Sequence, residues 1–307
     1  MLALLPVFAY IFGFAILGAV LKGVGVLTVP RVQRLNWTAL NVTLPALIIV
    51  SLHRSPPFDA RLLWIPLASW LTLLAGCLLG TILLLKVMKL PPCEAGSLFL
   101  PALLGNTTFV GYPAVSALLG DAGLLRAILY DQLANGIFFA TAGVAIAQWA
   151  SAGSRIAPSI LVKRVLAFPP LWGLLVGFLV KGMALTDPLF TMLGGLGAVT
   201  VPFFLLGLGA SLSLAGWRQT LPGALAVSAA KLVILPMIGY AIHRALHLPP
   251  IDLQVSTLQA AMPSALFSVS LAIVYKLDTP LVVNSVALCL LLSAVTLPIW
   301  AWLLGLG

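Results

Sequence analysis

Charge is what this chain most lacks. Of 307 residues only 7% are Asp, Glu, Lys or Arg, against about 25% in an ordinary globular domain, so it has too little polar surface to fold as a soluble protein. Acids are the scarcest, seven against sixteen Lys and Arg. Cys77, Cys93 and Cys289 form no CxxC pair, and His53, His243 and His247 lie near the ends of apolar runs, far from the cysteines. That pattern argues against a disulfide framework and against a metal site. There is no HExxH, no GxSxG with a partner histidine and no paired acidic motif. Without a nucleophile–base pair or a metal cluster, no catalytic residue is assigned and no enzyme is expected.

What the chain has is apolar length. Hydrophobic residues make up 62% of it, enough at roughly 20 per helix for about nine or ten membrane spans. Charged and proline-rich breaks predict ten helices near 4–24, 35–52, 61–86, 93–119, 122–149, 166–185, 188–214, 221–246, 252–275 and 279–305. Asp187-Pro188 and Thr279-Pro280 are expected to cap two of them, a side-chain acceptor preceding a proline at the first helical position. No period-two alternation supports a β-barrel. The first apolar run has neither a basic leader nor a small-residue cleavage site and reads as a span, not a removable signal. The expected fold class is therefore an all-α membrane protein of ten transmembrane helices.

The net charge of +9 does not point to nucleic acid, because Lys and Arg sit singly or in small groups between apolar runs, without interleaved aromatics. They read instead as topology signals. With the N-terminus outside, ten (among them Lys22, Arg31, Lys86, Arg155 and Lys276) fall on inside connections. Five, Arg54, Arg61, Arg126, Lys181 and Arg244, fall outside. This bias predicts both termini outside; the membrane itself is expected to be the plasma (bacterial inner) membrane.

The chain also repeats. N-V-T-L-P ending at Pro45 returns as A-V-T-V-P ending at Pro202, K-L-P-P-C-E from Lys89 returns as H-L-P-P-I-D from His247, and Asp121 has its counterpart in Asp278. Three matches in one order at nearly one offset divide the chain into residues 1–150, a basic linker at 151–164, and residues 165–307. Five spans per half is an odd number, so the second half enters from the opposite side: an inverted repeat, the architecture of many secondary transporters.

Both halves carry an interrupted helix at the same place. In the fourth span G-N-T-T-F-V-G-Y-P puts Gly105, Asn106, Thr107, Thr108, Tyr112 and Pro113 at mid-helix; in the ninth, Q-A-A-M-P-S-A supplies Gln259, Pro263 and Ser264. Such breaks at bilayer depth are tolerated only where protein or a cavity satisfies the freed backbone groups, and matched pairs of them mark binding sites. The half-helices that resume there present N–H groups and a positive dipole end, which favours an anion; carbonyls of the preceding halves leave a cation site open. Substrate contacts are therefore assigned to Gly105, Asn106, Thr107, Thr108, Tyr112, Gln259, Pro263 and Ser264. Two ionisable residues fall deep within spans, Asp131 and Lys231, and each needs a reason there. Asp131, with Gln132 beside it and Asn135 one turn on, reads as a coupling-ion or proton site, and Lys231 as a partner for a carboxylate or a stand-in for a bound cation. The alternative is that Asp131 and Lys231 simply pair. Asn41, Thr43 and Thr200, beside Pro45 and Pro202, read as helix-bending residues.

G-N-T-T-F-V-G-Y-P, Q-A-A-M-P, V-T-L-P-A-L and F-F-L-L-G-L-G together resemble the auxin efflux carrier family, over essentially all ten spans. That family includes bacterial carriers described as malonate or dicarboxylate transporters and is related to the bile acid/sodium symporter fold. The resemblance implies a scaffold of spans 1, 2, 6 and 7, a transport domain of spans 3–5 and 8–10, crossing broken helices 4 and 9, and elevator-like alternating access. It also implies a homodimer through the scaffold. Asn106 and Pro263 take the crossover positions, with Gly105 where plant members tend to have proline. The expected activity is secondary transport of a small organic anion such as malonate across the lipid bilayer. No cofactor or metal is expected, and H+ or Na+ is the possible coupling ion. The alternatives are sodium-coupled symport of a larger, bile-acid-like anion, or a non-transporting sensor or assembly subunit.

Overall fold

In a bilayer the backbone must satisfy its own hydrogen bonds, and the apolar runs do so as helices. The computed structural model describes residues 4–152, 157–183, 187–211 and 216–306. In chain order the helices are α1 (Leu4–Gly23), α2 (Val29–Arg54), α3 (Ala60–Val87), α4 (Pro92–Leu103), α5 (Gly111–Ser151), α6 (Pro158–Leu166) and α7 (Pro169–Leu179), then α8 (Pro188–Ser211), α9 (Trp217–Ala245), α10 (Pro250–Ala260), α11 (Phe267–Val274) and α12 (Thr279–Leu303). Among the described residues the protein is all-α, and its one β-type contact is an isolated antiparallel bridge between Gly105 and Ser264. Seven helices (α1, α2, α3, α5, α8, α9 and α12) are long and apolar enough to cross a membrane. The pair α6–α7, bent by 50°, makes an eighth if it is one span.

Local chemistry sets the interruptions. Pro169 and Pro170 at the start of α7 cannot donate to the turn before them, and the chain bends there. Gly120 lies within α5 at φ 62°, ψ −159°, a region essentially reserved for glycine, and divides that long segment. Wider, π-helical turns occupy Ala39–Thr43, Asp131–Gly136 and Ala230–Ile234. The first runs into Pro45, where the Asn41 amide donates to the Trp37 carbonyl and Thr43 Oγ1 to that of Ala39, as expected of helix-bending residues.

Two expectations change at this level. The basic linker at 151–164 is helical in its second half, because Pro158 opens α6 there; Arg155 lies outside the described residues. At the start of α12 the cap is Asp278, whose Oδ1 accepts from the Leu281 amide at 3.0 Å, while Thr279 Oγ1 turns to the Leu277 carbonyl. An acceptor three residues before the receiving N–H has the N-cap geometry, which Thr279 lacks. The corresponding side chain of Asp187 lies outside the described residues.

Glycines bring α1, α2, α7 and α8 together. A Cβ on Gly209 would stand 1.7 Å from the Ala15 carbonyl oxygen, one on Gly18 2.2 Å from that of Leu206, and one on Gly173 2.7 Å from Pro45 Cα. Backbone-to-backbone approach of this kind replaces the hydrophobic drive that lipid removes. The remaining helices are tied by polar links. Trp70 Nε1 of α3 donates to the Leu133 carbonyl of α5 at 2.9 Å, Trp300 Nε1 of α12 to the Leu232 carbonyl of α9 at 2.8 Å, and Arg126 of α5 pairs with buried Asp252 of α10 at 2.5 Å.

Candidate substrate site at the helix breaks

The chain leaves helical geometry after Leu103 and again after Ala260, and the two interruptions meet. The Asn106 amide donates to the Pro263 carbonyl at 2.7 Å, and the Ala265 amide to the Leu104 carbonyl at 2.8 Å, flanking the Gly105–Ser264 bridge. Ser264 Oγ donates to the Pro101 carbonyl at 2.6 Å. Each break therefore satisfies backbone groups that the other leaves open, which makes the arrangement stable without water or lipid contact.

Asn106 then caps the helix that resumes. Its Oδ1 accepts from the Phe109 amide at 3.2 Å, and its carbonyl from the amides of Val110 and Gly111 at 3.3 and 3.2 Å. The amides of Thr107 and Thr108, at the first two positions of that turn, have no acceptor among the described residues. A helix start with open N–H groups and its positive dipole end is suited to an anion.

Asp131 is the centre of the polar cluster. It opens the Asp131–Gly136 wide turn and is buried. Thr107 Oγ1 donates to its Oδ1 at 2.5 Å; Thr108 Oγ1, Tyr112 Oη (2.8 Å) and Gln132 Nε2 (2.8 Å) donate to its Oδ2. Asn135 Nδ2 donates to Thr107 Oγ1 at 2.8 Å and to the Gly105 carbonyl at 3.0 Å, and so ties this cluster to the crossing strand. Lys231 is not part of it. The Asp131–Lys231 pair is absent: among the described residues the one ion pair is Arg126–Asp252, and Lys231 Nζ donates to the Ala260 carbonyl at 2.6 Å. Lys231 stands instead against Gly105, and the acid's oxygens are taken by hydroxyl and amide donors.

A cavity of about 20 Å³ lies at the break, lined by Gly105, Asn106, Thr107, Thr108, Asp131, Gln132 and Asn135 on its polar wall. Its apolar wall includes Leu40 and Leu44 of α2, Phe168 between α6 and α7, and Phe204 of α8. Phe204 stacks on Phe109 with ring centres 3.5 Å apart and meets Phe267 edge-on at 5.6 Å. That volume holds about one water molecule. Tyr112 reaches Asp131 without lining the cavity. Pro263 and Ser264 serve the bridge, and buried Gln259 donates to the Ala127 carbonyl at 3.3 Å behind it. Sequence reasoning missed the aromatic wall, because phenylalanines within apolar runs look like any other core residue. It also missed the Arg126–Asp252 pair, which reads as two span-end charges.

A multi-pass helical membrane protein with a polar site where two broken helices meet has the features of a membrane carrier. The chain belongs to the membrane transport protein family, whose model matches residues 1–301. It is 34% identical over 291 residues to an uncharacterized transporter of Methanothermobacter thermautotrophicus, covering 93% of each chain. It is 27% identical over 287 residues to an uncharacterized transporter of Methanocaldococcus jannaschii, covering 91% of this chain and 92% of that one. The family is one of transporters, not of catalysts.

Proposed function

We propose that the protein is a secondary active transporter of a small organic anion, a carboxylate of the size of malonate. The observation that carries this reading is the open helix start at Asn106–Thr108, which lines a cavity at the crossing of the broken helices and whose Thr107 and Thr108 amides have no acceptor among the described residues. Asn106 and the crossing bridge position those amides for a carboxylate. Asp131 stands on the same wall. A proton on Asp131 removes its repulsion with an incoming anion, which ties the movement of the two.

Ten crossings in two inverted halves fit this site. Counting α4 with the first part of α5 as one crossing, the rest of α5 beyond Gly120 as another, α6–α7 as one and α10–α11 as one gives ten. Support comes from the recurrence of helix bounds, α3 from Ala60 answered by α9 from Trp217 and α4 from Pro92 by α10 from Pro250. Lys89 and His247, which begin the two L-P-P repeats, both have left-handed backbones, at φ 54° and 52°. The cavity lies between α2, α7 and α8 on one side and α4, α5 and α11 on the other. Elevator-like movement of the second group against the first would open it to each face in turn, with both termini outside and a dimer through the first group.

The test is counterflow of labelled malonate in liposomes holding the purified protein, against a panel of unlabelled carboxylates. Saturable exchange competed by small dicarboxylates is expected, reduced at least tenfold by Asn106→Ala, which removes the cap that orders the amides. No exchange of any carboxylate by folded protein would remove the substrate assignment.

A further inference from the structure

We infer that Lys231 is a built-in cation at the helix crossing, doing there by a covalently held charge what a bound sodium ion would do. The inference rests on the reading of the crossing as the transport site and adds that the site works without sodium. Lys231 is buried in the wide turn Ala230–Ile234 of α9, where an unpaired charge at bilayer depth is costly and calls for compensation. No acid supplies it among the described residues. What the ammonium meets instead is carbonyl. Nζ donates at 2.6 Å to Ala260, the last residue of α10, and lies against Gly105, two residues past the end of α4. A Cβ on Gly105 would stand 3.2 Å from Nζ and 3.3 Å from Cε, so glycine leaves the room the ammonium uses.

Magnitudes favour one full positive charge at this point. Each helix C-terminus carries the equivalent of roughly half a negative charge, and two converge here, so their sum is about that of one ammonium. The neighbouring carbonyls are already engaged, Leu104 by the Ala265 amide, Pro263 by the Asn106 amide, Pro101 by Ser264 and Gly105 by Asn135. The Ala260 carbonyl is left for the cation. With the lysine cut back, the Ala260 carbonyl and the two negative helix ends would face an unfilled space, and a sodium ion is the cation that would take it. Because Lys231 is covalently attached, it cannot leave with the substrate.

The decisive measurement is thermal unfolding of the purified protein in detergent, in NaCl, KCl or choline chloride at equal ionic strength. The wild-type Tm is expected to agree within about 1 °C across the three salts, and a sodium-specific rise would overturn the proposal. Lys231→Ala vacates the pocket, and its Tm is expected to rise by roughly 3–6 °C in sodium over choline. Lys231→Met fills the same space without charge and should show no sodium response. Folded Lys231→Ala with equal Tm in sodium and choline would overturn the inference. If Lys231→Ala folds only when prepared in sodium, that rescue supports it; failure in every salt while Lys231→Met folds counts against it. None of these readings needs transport, so a failed counterflow assay removes the carboxylate assignment while the cation site is judged separately.

Discussion

Thr107 and Tyr112 own one hydroxyl hydrogen each, and at Asp131 their use is fixed by their other neighbours. Asn135 Nδ2 donates to Thr107 Oγ1, and Gln132 Nε2 donates to Tyr112 Oη at 3.1 Å, so both hydroxyls must point their hydrogens at the acid. Both Asp131 oxygens therefore act as acceptors, in a ring that contains no cation. Asp131→Asn turns one of those oxygens into an amide that faces donors. Leaving such a buried group without an acceptor costs about 1–3 kcal/mol, and the expected outcome is a lowered Tm of the folded variant in detergent. A variant as stable as wild type would show that the ring accommodates a donor at Asp131 and that the carboxylate is not what orders it. Asp131 is legible in the sequence because an acid deep in an apolar run stands out, and Thr107 and Thr108 because they sit at a glycine-flanked break. Lys231 is legible as a charge but not in its role. Its partner is a backbone carbonyl thirty residues or so along the chain, and carbonyls carry no sequence signature.

At the scale of elements, proline and glycine mark every interruption that positions the site, and both can be read directly from the sequence. The break after Leu103, the turn at Gly120 and the bend before Pro169 follow directly from missing N–H groups or a backbone only glycine adopts. The wide turns at Asp131–Gly136 and Ala230–Ile234 do not, since a wider turn has no signature in residue type. Close helix contact is likewise hidden until neighbours are known. Gly13 and Gly18 lie on the same helix, α1, yet a Cβ on Gly13 meets nothing within 4 Å and one on Gly18 meets the Leu206 backbone. Gly18→Ala must push α1 off α8 and is expected to cost about 1–3 kcal/mol. Gly13→Ala is expected to be neutral or to stabilise by up to about 1 kcal/mol, from helix propensity. Thermal unfolding of the two variants side by side checks the contact; equal Tm values would mean that α1 and α8 do not pack through Gly18.

For the molecule as a whole, the proposed inverted repeat can be tested on the chain's own cysteines. Five crossings per half would place the connection before α4 and the connection before α10 on opposite faces, although both are Leu-Pro-Pro turns begun by a left-handed residue. With both termini outside, the first faces the cytoplasm and the second faces out. Cys93, one residue into α4, is exposed, while Cys289 is buried. A membrane-impermeant maleimide is therefore expected to label Cys93 in inside-out vesicles and not in intact cells. In a Cys93→Ser background, His247→Cys is expected to show the reverse, because His247 is the exposed counterpart of Lys89. Labelling of both from one side would require an even number of crossings between them and would remove the inverted arrangement. It would also remove the symmetry on which the proposed elevator-like movement rests. Opposite labelling with the faces exchanged would keep the repeat and reverse the orientation, placing the excess of Lys and Arg outside against the usual charge bias.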